Sequence, residues 1–311
     1  MLLTDVYRFS FEWNILEWFY KIGNTFFDYF FYFISEFGSS IIILLLVTII
    51  YWCINKEKGR HIAFICFFTI CINNSLKGLF NAKRPFQYEG KEHLRKLADS
   101  SLSDGASGTS FPSGHSQNSA SIYSSLFVNF KHKGVRVFAV CLIILVPISR
   151  LYLGVHFPGD VVVGLILGIA ATLLLTFLLN KFPKKEFLIC LILIIFVFPA
   201  IFIPNIAKDF FKGYGLMIGL LGGSWLEKKY VNFEIAKSLK TNILRYLVGI
   251  VIIGGLYGII HVINHLEAIE MYNWSLFISN FLTHGLLAFT AIAIVPILFN
   301  KISFLKEKNN E

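Results

Sequence analysis

Three short segments of this chain gather residues suited to binding and attacking an oxyanion. The first is Lys77-Gly-Leu-Phe-Asn-Ala-Lys-Arg84-Pro85. Positions seven apart share one helical face, so Lys77 and Arg84 project together, and Pro85 discourages further helix. Asn73 stands one turn earlier on that face, placed to orient Lys77. The second segment is Phe111-Pro112-Ser113-Gly114-His115. Serine is a favoured N-cap, and the first helical turn offers unpaired N–H groups and a positive dipole end. Gly114 lets an anion approach the backbone, within reach of His115. The third is Ser149-Arg150-Leu-Tyr-Leu-Gly-Val-His156-Phe-Pro-Gly-Asp160. Arg150 ends one helix and Pro158 suits the first turn of the next. His156 and Asp160, four apart, can hydrogen-bond. A carboxylate on one imidazole nitrogen fixes the tautomer and leaves the other nitrogen free to attack.

The elements that must position these residues are membrane helices. The 311 residues are 56% hydrophobic, 16% aromatic and only 15% charged, with a mean hydropathy of +0.66. So much apolar surface cannot hide in a soluble core. Apolar runs fall at about 39–54, 61–80, 114–130, 135–153, 159–180, 186–203, 213–227, 241–265 and 274–300. The third is crowded with polar side chains, Ser116, Gln117, Asn118, Ser119, Ser121, Ser124 and Ser125. It must be enclosed by other helices rather than face lipid.

Basic residues set the orientation. Lys56, Lys58, Arg60, Lys131, Lys133, Arg136, Lys181, Lys184, Lys185, Lys228, Lys229, Lys237, Lys240, Lys301, Lys306 and Lys308 fall on one face if nine spans alternate. The opposite face includes the turn 266–273, with Glu267 and Glu270. The positive-inside rule then places the tail in the cytoplasm and the N-terminus, with loops 81–113 and 154–158, outside. All three polar segments converge on that outer end. The polar run 99–110 reads as a flexible external loop. Residues 11–36, dense in aromatics, suggest an interfacial helix, or a further span over 15–36. Asp5, Glu12 and Glu17 interrupt the opening, which does not read as a signal peptide. The net charge of +9 is spread among short loops and speaks for orientation, not for nucleic acid.

Cys53, Cys66, Cys71, Cys141 and Cys190 lie in or beside apolar runs, without a CxxC pair, and read as small buried side chains. His61, His93 and His132 read as solvated surface residues. His261 and His265, with His284, read as a structural hydrogen-bond network, a second polar site being the alternative.

The segments Lys-x6-Arg-Pro, Pro-Ser-Gly-His and Ser-Arg-x5-His-x3-Asp, in this order, resemble the signature of the type 2 phosphatidic acid phosphatase family. The resemblance covers about residues 39–180. It implies an all-α polytopic transmembrane bundle, with a six-helix phosphatase core at 39–203. About three additional C-terminal spans occupy 204–311, and the aromatic segment 1–38 precedes the core. It also implies a metal-independent phosphoric ester hydrolase without cofactor. His156 would be the nucleophile forming a phosphohistidine, Asp160 would orient it, and His115 would serve as acid and then base. Lys77, Arg84, Ser113, Gly114 and Arg150 would hold the phosphate oxygens. The sequence offers neither a DxD pair nor an HExxH near these residues, so no metal is required. The expected partners are membrane lipids and a lipid phosphate, among them phosphatidic acid, phosphatidylglycerol phosphate, sphingoid phosphates and polyprenyl diphosphates. A soluble sugar phosphate stays open as a substrate. Two other classes compete. A vanadium-dependent haloperoxidase has a nearly identical oxyanion pocket but is soluble, and a transporter of a phosphorylated solute needs no oriented nucleophile. The expected location is the membrane, the cell membrane if bacterial, with the site on its outer face.

Overall fold

The computed structural model describes residues 8–97, 108–267, 273–302 and 305, with the side chains of 263–267 and 273–277 excepted. The turn expected over 266–273, most of the polar run 99–110 and Lys306 and Lys308 lie outside these residues. The described chain is helical and has no strand. Its helices are α1 (Ser10–Lys21), α2 (Thr25–Glu36), α3 (Ser40–Ile49), α4 (Lys56–Phe80), α5 (Gly114–Asn129) and α6 (Lys133–Tyr152). They continue with α7 (Pro158–Lys181), α8 (Glu186–Val197), α9 (Lys208–Leu226), α10 (Leu239–Glu267), α11 (Asn273–Phe289) and α12 (Val295–Lys301).

Among the described residues, six helical stretches are long and apolar enough to cross a bilayer: Lys56–Gln87, Lys133–Tyr152, Pro158–Lys181, Pro183–Phe202, Leu239–Val262 and Ile278–Lys301. A seventh results if α2 and the stretch Ser40–Ile54, bent by 49°, count as one broken span. Nine alternating spans were expected, and every one of the nine runs is helical, yet α5 and α9 fall outside this set. At 16 residues, α5 is roughly 24 Å long, short of a hydrocarbon core of about 30 Å. In α9, five glycines dilute the hydropathy. The aromatic segment forms two helices of 12 residues each, also too short to cross alone.

The chain divides into two compact units. The first comprises Met1–Ile43, Ile72–Phe177 and Pro199–Ala207. Its polar helix α5 is enclosed, as its composition requires: Ser116, Gln117, Ser119, Ser121 and Ser125 are all buried. Their polar atoms are answered within the helix, Ser119 Oγ donating to the Ser116 carbonyl at 3.0 Å and Ser121 Oγ to that of Gln117 at 2.9 Å. Two glycines of α7 admit α5 at backbone distance. A methyl group at Gly164 would stand 2.7 Å from the Ser113 carbonyl, and one at Gly168 2.6 Å from Ala120 Cβ. Small residues four apart are the usual means of bringing membrane helices this close. On α1, Leu16 joins Leu94 and Phe157 in a buried cluster, with the Trp13 ring edge-on to Phe157 at 4.8 Å.

The second unit comprises Leu44–Cys71, Leu178–Phe198 and Lys208–Glu311. Gly215 and Gly219 of α9 meet the carbonyls of Phe281 and Gly285 on α11, again a stripe of small residues. A π-helical turn at Thr290–Ile294 leaves carbonyls without their usual intrahelical partners. Tyr51 Oη donates to the one at Ile292 and Trp52 Nε1 to the one at Ala291, each at 2.9 Å. Of the cysteines, Cys66, Cys71 and Cys190 are buried as expected, while Cys141 is exposed on α6 and Cys53 is intermediate. Nothing but its apolar neighbourhood recommended Cys141 as a core residue, and that neighbourhood suits a lipid-facing side chain equally.

Candidate active site

Local sequence places the polar residues at helix ends of the first unit. Ser113 is the N-cap of α5, its Oγ accepting from the Ser116 N–H at 3.4 Å. Pro158 opens α7, and Arg150 lies in the last turn of α6. The Ser113 N–H donates to the Asp160 carbonyl at 3.0 Å, which ties the entrance of α5 to that of α7. Gly154 supports the turn between α6 and α7. Its φ of +69° suits glycine, and a Cβ there would collide with the Leu94 carbonyl.

His156 is 2% exposed and Asp160 0%. The Nδ1 atom of His156 faces Asp160 Oδ2 at 3.6 Å, an ion-pair spacing rather than the direct hydrogen bond expected from four-residue separation. Ser110 closes the gap. Its Oγ donates to Asp160 Oδ2 at 2.5 Å and stands 3.4 Å from His156 Nδ1. The Phe157 N–H donates to the same Oδ2 at 2.9 Å. The other carboxylate oxygen, Oδ1, meets Arg8 at 2.9 Å, whose guanidinium lies over the Phe157 ring. With Nδ1 turned to the acid, Nε2 is the nitrogen left facing the site, and Arg84 reaches it at 3.2 Å. Burial comes first, and the Arg84 charge second, in holding the His156 imidazole well below its ordinary pKa. That direction favours the neutral ring.

The expected cations surround this pair. Arg84 donates from Nε to the Gly108 carbonyl and from NH1 to the Val155 carbonyl, both at 2.9 Å. Lys77 Nζ donates to the Thr109 carbonyl at 2.5 Å. Arg150 donates to Ser35 Oγ of α2. His115 lies within electrostatic reach of Arg150, His156, Arg84 and Lys77, and its backbone packs on Gly38, where a Cβ would stand 2.8 Å from its carbonyl. All eight expected residues, Lys77, Arg84, Ser113, Gly114, His115, Arg150, His156 and Asp160, thus belong to one neighbourhood.

Two expectations change. Asn73 donates to Gln117 Oε1 at 2.8 Å and toward the Pro112 carbonyl at 3.4 Å, so it braces the start of α5 rather than Lys77. The end of the external polar run is no loose loop, because Ser110 is 0% exposed and its N–H donates to the Ala82 carbonyl at 2.8 Å. Four participants were missed in the sequence: Arg8, Glu12, Ser35 and Ser110. Glu12 Oε1 accepts from the Gly159 N–H at 2.8 Å, at the start of α7. A signal for Glu12 existed, since a carboxylate amid aromatic residues is costly unless it has a donor. Arg8, Ser35 and Ser110 carried none.

The chain is similar to known proteins over two regions. Residues 58–184 match the family model of the PAP2 superfamily. Residues 211–308 match that of the PAP2 superfamily phosphatase, transmembrane extension. The chain is 44% identical over 85 residues to phosphatidylglycerophosphatase B of Bacillus subtilis, a stretch that is 24% of this chain and 40% of that protein. It is 27% identical over 181 residues to lipid A 4'-phosphatase of Bacteroides thetaiotaomicron, covering 55% of this chain and 78% of the relative. The crystal structure of Aquifex aeolicus LpxE is similar over 57% of this chain and 99% of its own, with 24% identity and a TM-score of 0.48. With the three polar segments inside the first matched region and the C-terminal helices inside the second, the chain belongs to the PAP2 superfamily, the type 2 phosphatidic acid phosphatases.

Proposed function

We propose that this protein is a membrane phosphatase that removes phosphate from a lipid through a phosphohistidine at His156. The observation that carries this reading is the setting of His156, with Nδ1 toward Asp160 and Ser110 and Nε2 beside Arg84. In the first step Nε2 attacks phosphorus in line, the N–P bond forms and the P–O bond to the lipid breaks. His115 gives a proton to the departing oxygen. In the second step His115 takes a proton from water, the water oxygen attacks phosphorus, and the N–P bond breaks to release inorganic phosphate. Lys77, Arg84 and Arg150, with the Gly114 N–H, hold the non-bridging oxygens while charge redistributes. Ser113 Oγ, which also accepts from Ser116, can turn its own proton to the same anion. Arg84 must release Nε2 for attack, and a phosphate oxygen is the stronger acceptor that draws it away.

The substrate class follows from the solvent and from relatives. Phosphatidylglycerophosphatase and lipid A 4'-phosphatase are named for lipid phosphates, and the apolar helices here support a substrate carried by the bilayer. The lysine-rich turns favour an outer-face site by the positive-inside rule. Detergent-purified protein should release inorganic phosphate from a panel of lipid phosphates, and His156→Ala should abolish it. With an activated ester, His115→Ala should keep a burst of phosphoenzyme while His156→Ala forms none, read by rapid quench and mass spectrometry. Phosphate found on His115, or release undiminished in His156→Ala, would overturn the assignment. Release from sugar phosphates alone would move the substrate out of the bilayer.

A further inference from the structure

The second unit holds a charged cluster that no step above uses. Arg60 and His61 open α4, Glu186 opens α8, and Glu227, Lys228 and Lys229 follow α9 in a π-helical turn at Glu227–Val231. Glu186 is met by Arg60 Nε at 3.3 Å, by His61 Nε2 at 3.6 Å and by Lys228. Glu227, 0% exposed, is met by Lys56 at 3.1 Å and more distantly by Arg60 NH1 at 3.7 Å. Three fixed cations, Lys56, Arg60 and Lys228, therefore face two carboxylates, and a fourth, Lys229, lies over the Trp225 and Tyr230 rings beside them. Arg60 is 3% exposed, and its NH1 makes no hydrogen bond. A buried guanidinium nitrogen without an acceptor is costly, and an anion would offset that cost.

Arg60, Lys228 and Lys229 line a cavity of about 250 Å³. On each of the three elements the polar end gives way to apolar side chains one or two turns along. On α4 the order is Arg60, then Phe64. On α8 it is Glu186, then Cys190. Reading back along α9 it is Lys228, Trp225, then Leu221. A soluble anion would use the cations and leave this apolar wall idle. An amphiphile uses both. The volume is below that of a pocket for a whole small molecule, which fits a headgroup and the upper part of one chain, with the remainder in the bilayer.

We propose that this cleft is a binding site for an anionic phospholipid, separate from the catalytic residues. The phosphodiester sits among Arg60, Lys228 and Lys229, and an acyl chain runs along Phe64, Cys190 and Leu221. The site gives the C-terminal transmembrane extension a lipid-sensing surface, since Leu221, Lys228 and Lys229 belong to it.

The test uses the full chain purified in mild detergent and offered equal amounts of phosphatidylglycerol and phosphatidylcholine, with retained lipid counted by native mass spectrometry. Wild type should retain phosphatidylglycerol preferentially. Lys228→Gln with Lys229→Gln should cut that preference about thirtyfold, at roughly one electrostatic contribution per lysine. Leu221→Trp, which fills the apolar part without touching charge, should also lose retention. Arg150→Gln, in the candidate active site, should leave it intact. Equal retention of the two lipids by wild type would overturn the proposal. So would retention lost in Arg150→Gln but kept in the lysine variant, or displacement of the lipid by excess inorganic phosphate.

Discussion

Replacing Ser110 by alanine tests the geometry around His156 most directly. Ser110 Oγ holds Asp160 Oδ2 at 2.5 Å, in a place where both residues are 0% exposed. A hydrogen bond to a charged group contributes roughly 1.5–3 kcal/mol. Part of that is retained in the variant, because the Phe157 N–H still donates to the same oxygen at 2.9 Å and Arg8 still faces Oδ1 at 2.9 Å. The low end of the range, about 1.5 kcal/mol, corresponds to about a tenfold loss of rate. It should fall on kcat, because Ser110 acts through the carboxylate that positions the nucleophile, and KM should stay near its wild-type value. Phosphate release at saturating lipid phosphate in mixed micelles, with circular dichroism to check the fold, reads both quantities. The rate of phosphoenzyme formation by rapid quench should fall by the same factor. An unchanged kcat in a folded variant would refute the claim that Ser110 positions Asp160. A loss confined to KM would place the hydroxyl on the substrate instead.

Three further outcomes follow from the same geometry. Arg84→Gln removes a charge that depresses the His156 pKa, so the folded-state value rises toward the ordinary one. Its acid limb in kcat/KM, which reports the neutral imidazole, should move to higher pH at reduced overall rate; a limb that stays in place, or moves down, contradicts the assignment of Arg84. Gly168→Val puts a side chain into Gln117 and Ala120 of α5; overpacking of this kind costs roughly 1–3 kcal/mol, and thermal unfolding in detergent should shift down together with activity. Phosphate release should survive excess EDTA, because Lys77, Arg84 and Arg150 supply the positive charge; a large loss restored by one divalent cation would count against this mechanism.

Much of the candidate site's placement was legible because its signals are local. Ser113 before Gly114, Pro158 at the head of α7 and Lys77 seven residues before Arg84 each depend on rules that act within one or two helical turns. The enclosure of α5 was legible for a different reason, since a helix so rich in serine has no stable position against lipid. Residues that arrive from elsewhere were not legible. Ser35 reaches Arg150 only because α2 packs beside α6, and Arg8 and Glu12 reach the head of α7 only because α1 docks through Leu16 and Trp13. Ser110 looked like loop because its neighbours are small and polar, yet hydrogen bonds to Ala82 and Asp160 fix it. That α5 and α9 are helical without being long or apolar enough to cross by themselves has a related reason. Apolar runs mark burial, and in a bundle a short or glycine-rich helix can be buried by its neighbours without being long or apolar enough to meet lipid alone.

The partners of the buried cations explain why a phosphate is the fitting occupant. The hydrogen bonds described for Lys77, Arg84 and Arg150 go to neutral oxygens, the carbonyls of Thr109, Gly108 and Val155 and the hydroxyl of Ser35. Asp160 pairs with His156 and Arg8 and also lies within electrostatic reach of Arg84. Desolvating a cation against dipoles alone recovers less energy than desolvating it against a full opposite charge. Carboxylates within electrostatic reach, Asp160 for Arg84 and Glu36 for Arg150, offset part of that cost in the resting arrangement. Under the proposed function a dianionic phosphomonoester would add full negative charge there, and its three non-bridging oxygens would offer acceptors to all three side chains. As the reaction moves charge onto the departing and non-bridging oxygens, the same fixed donors strengthen without reorganising, which is the condition under which binding energy lowers a barrier and not only a dissociation constant.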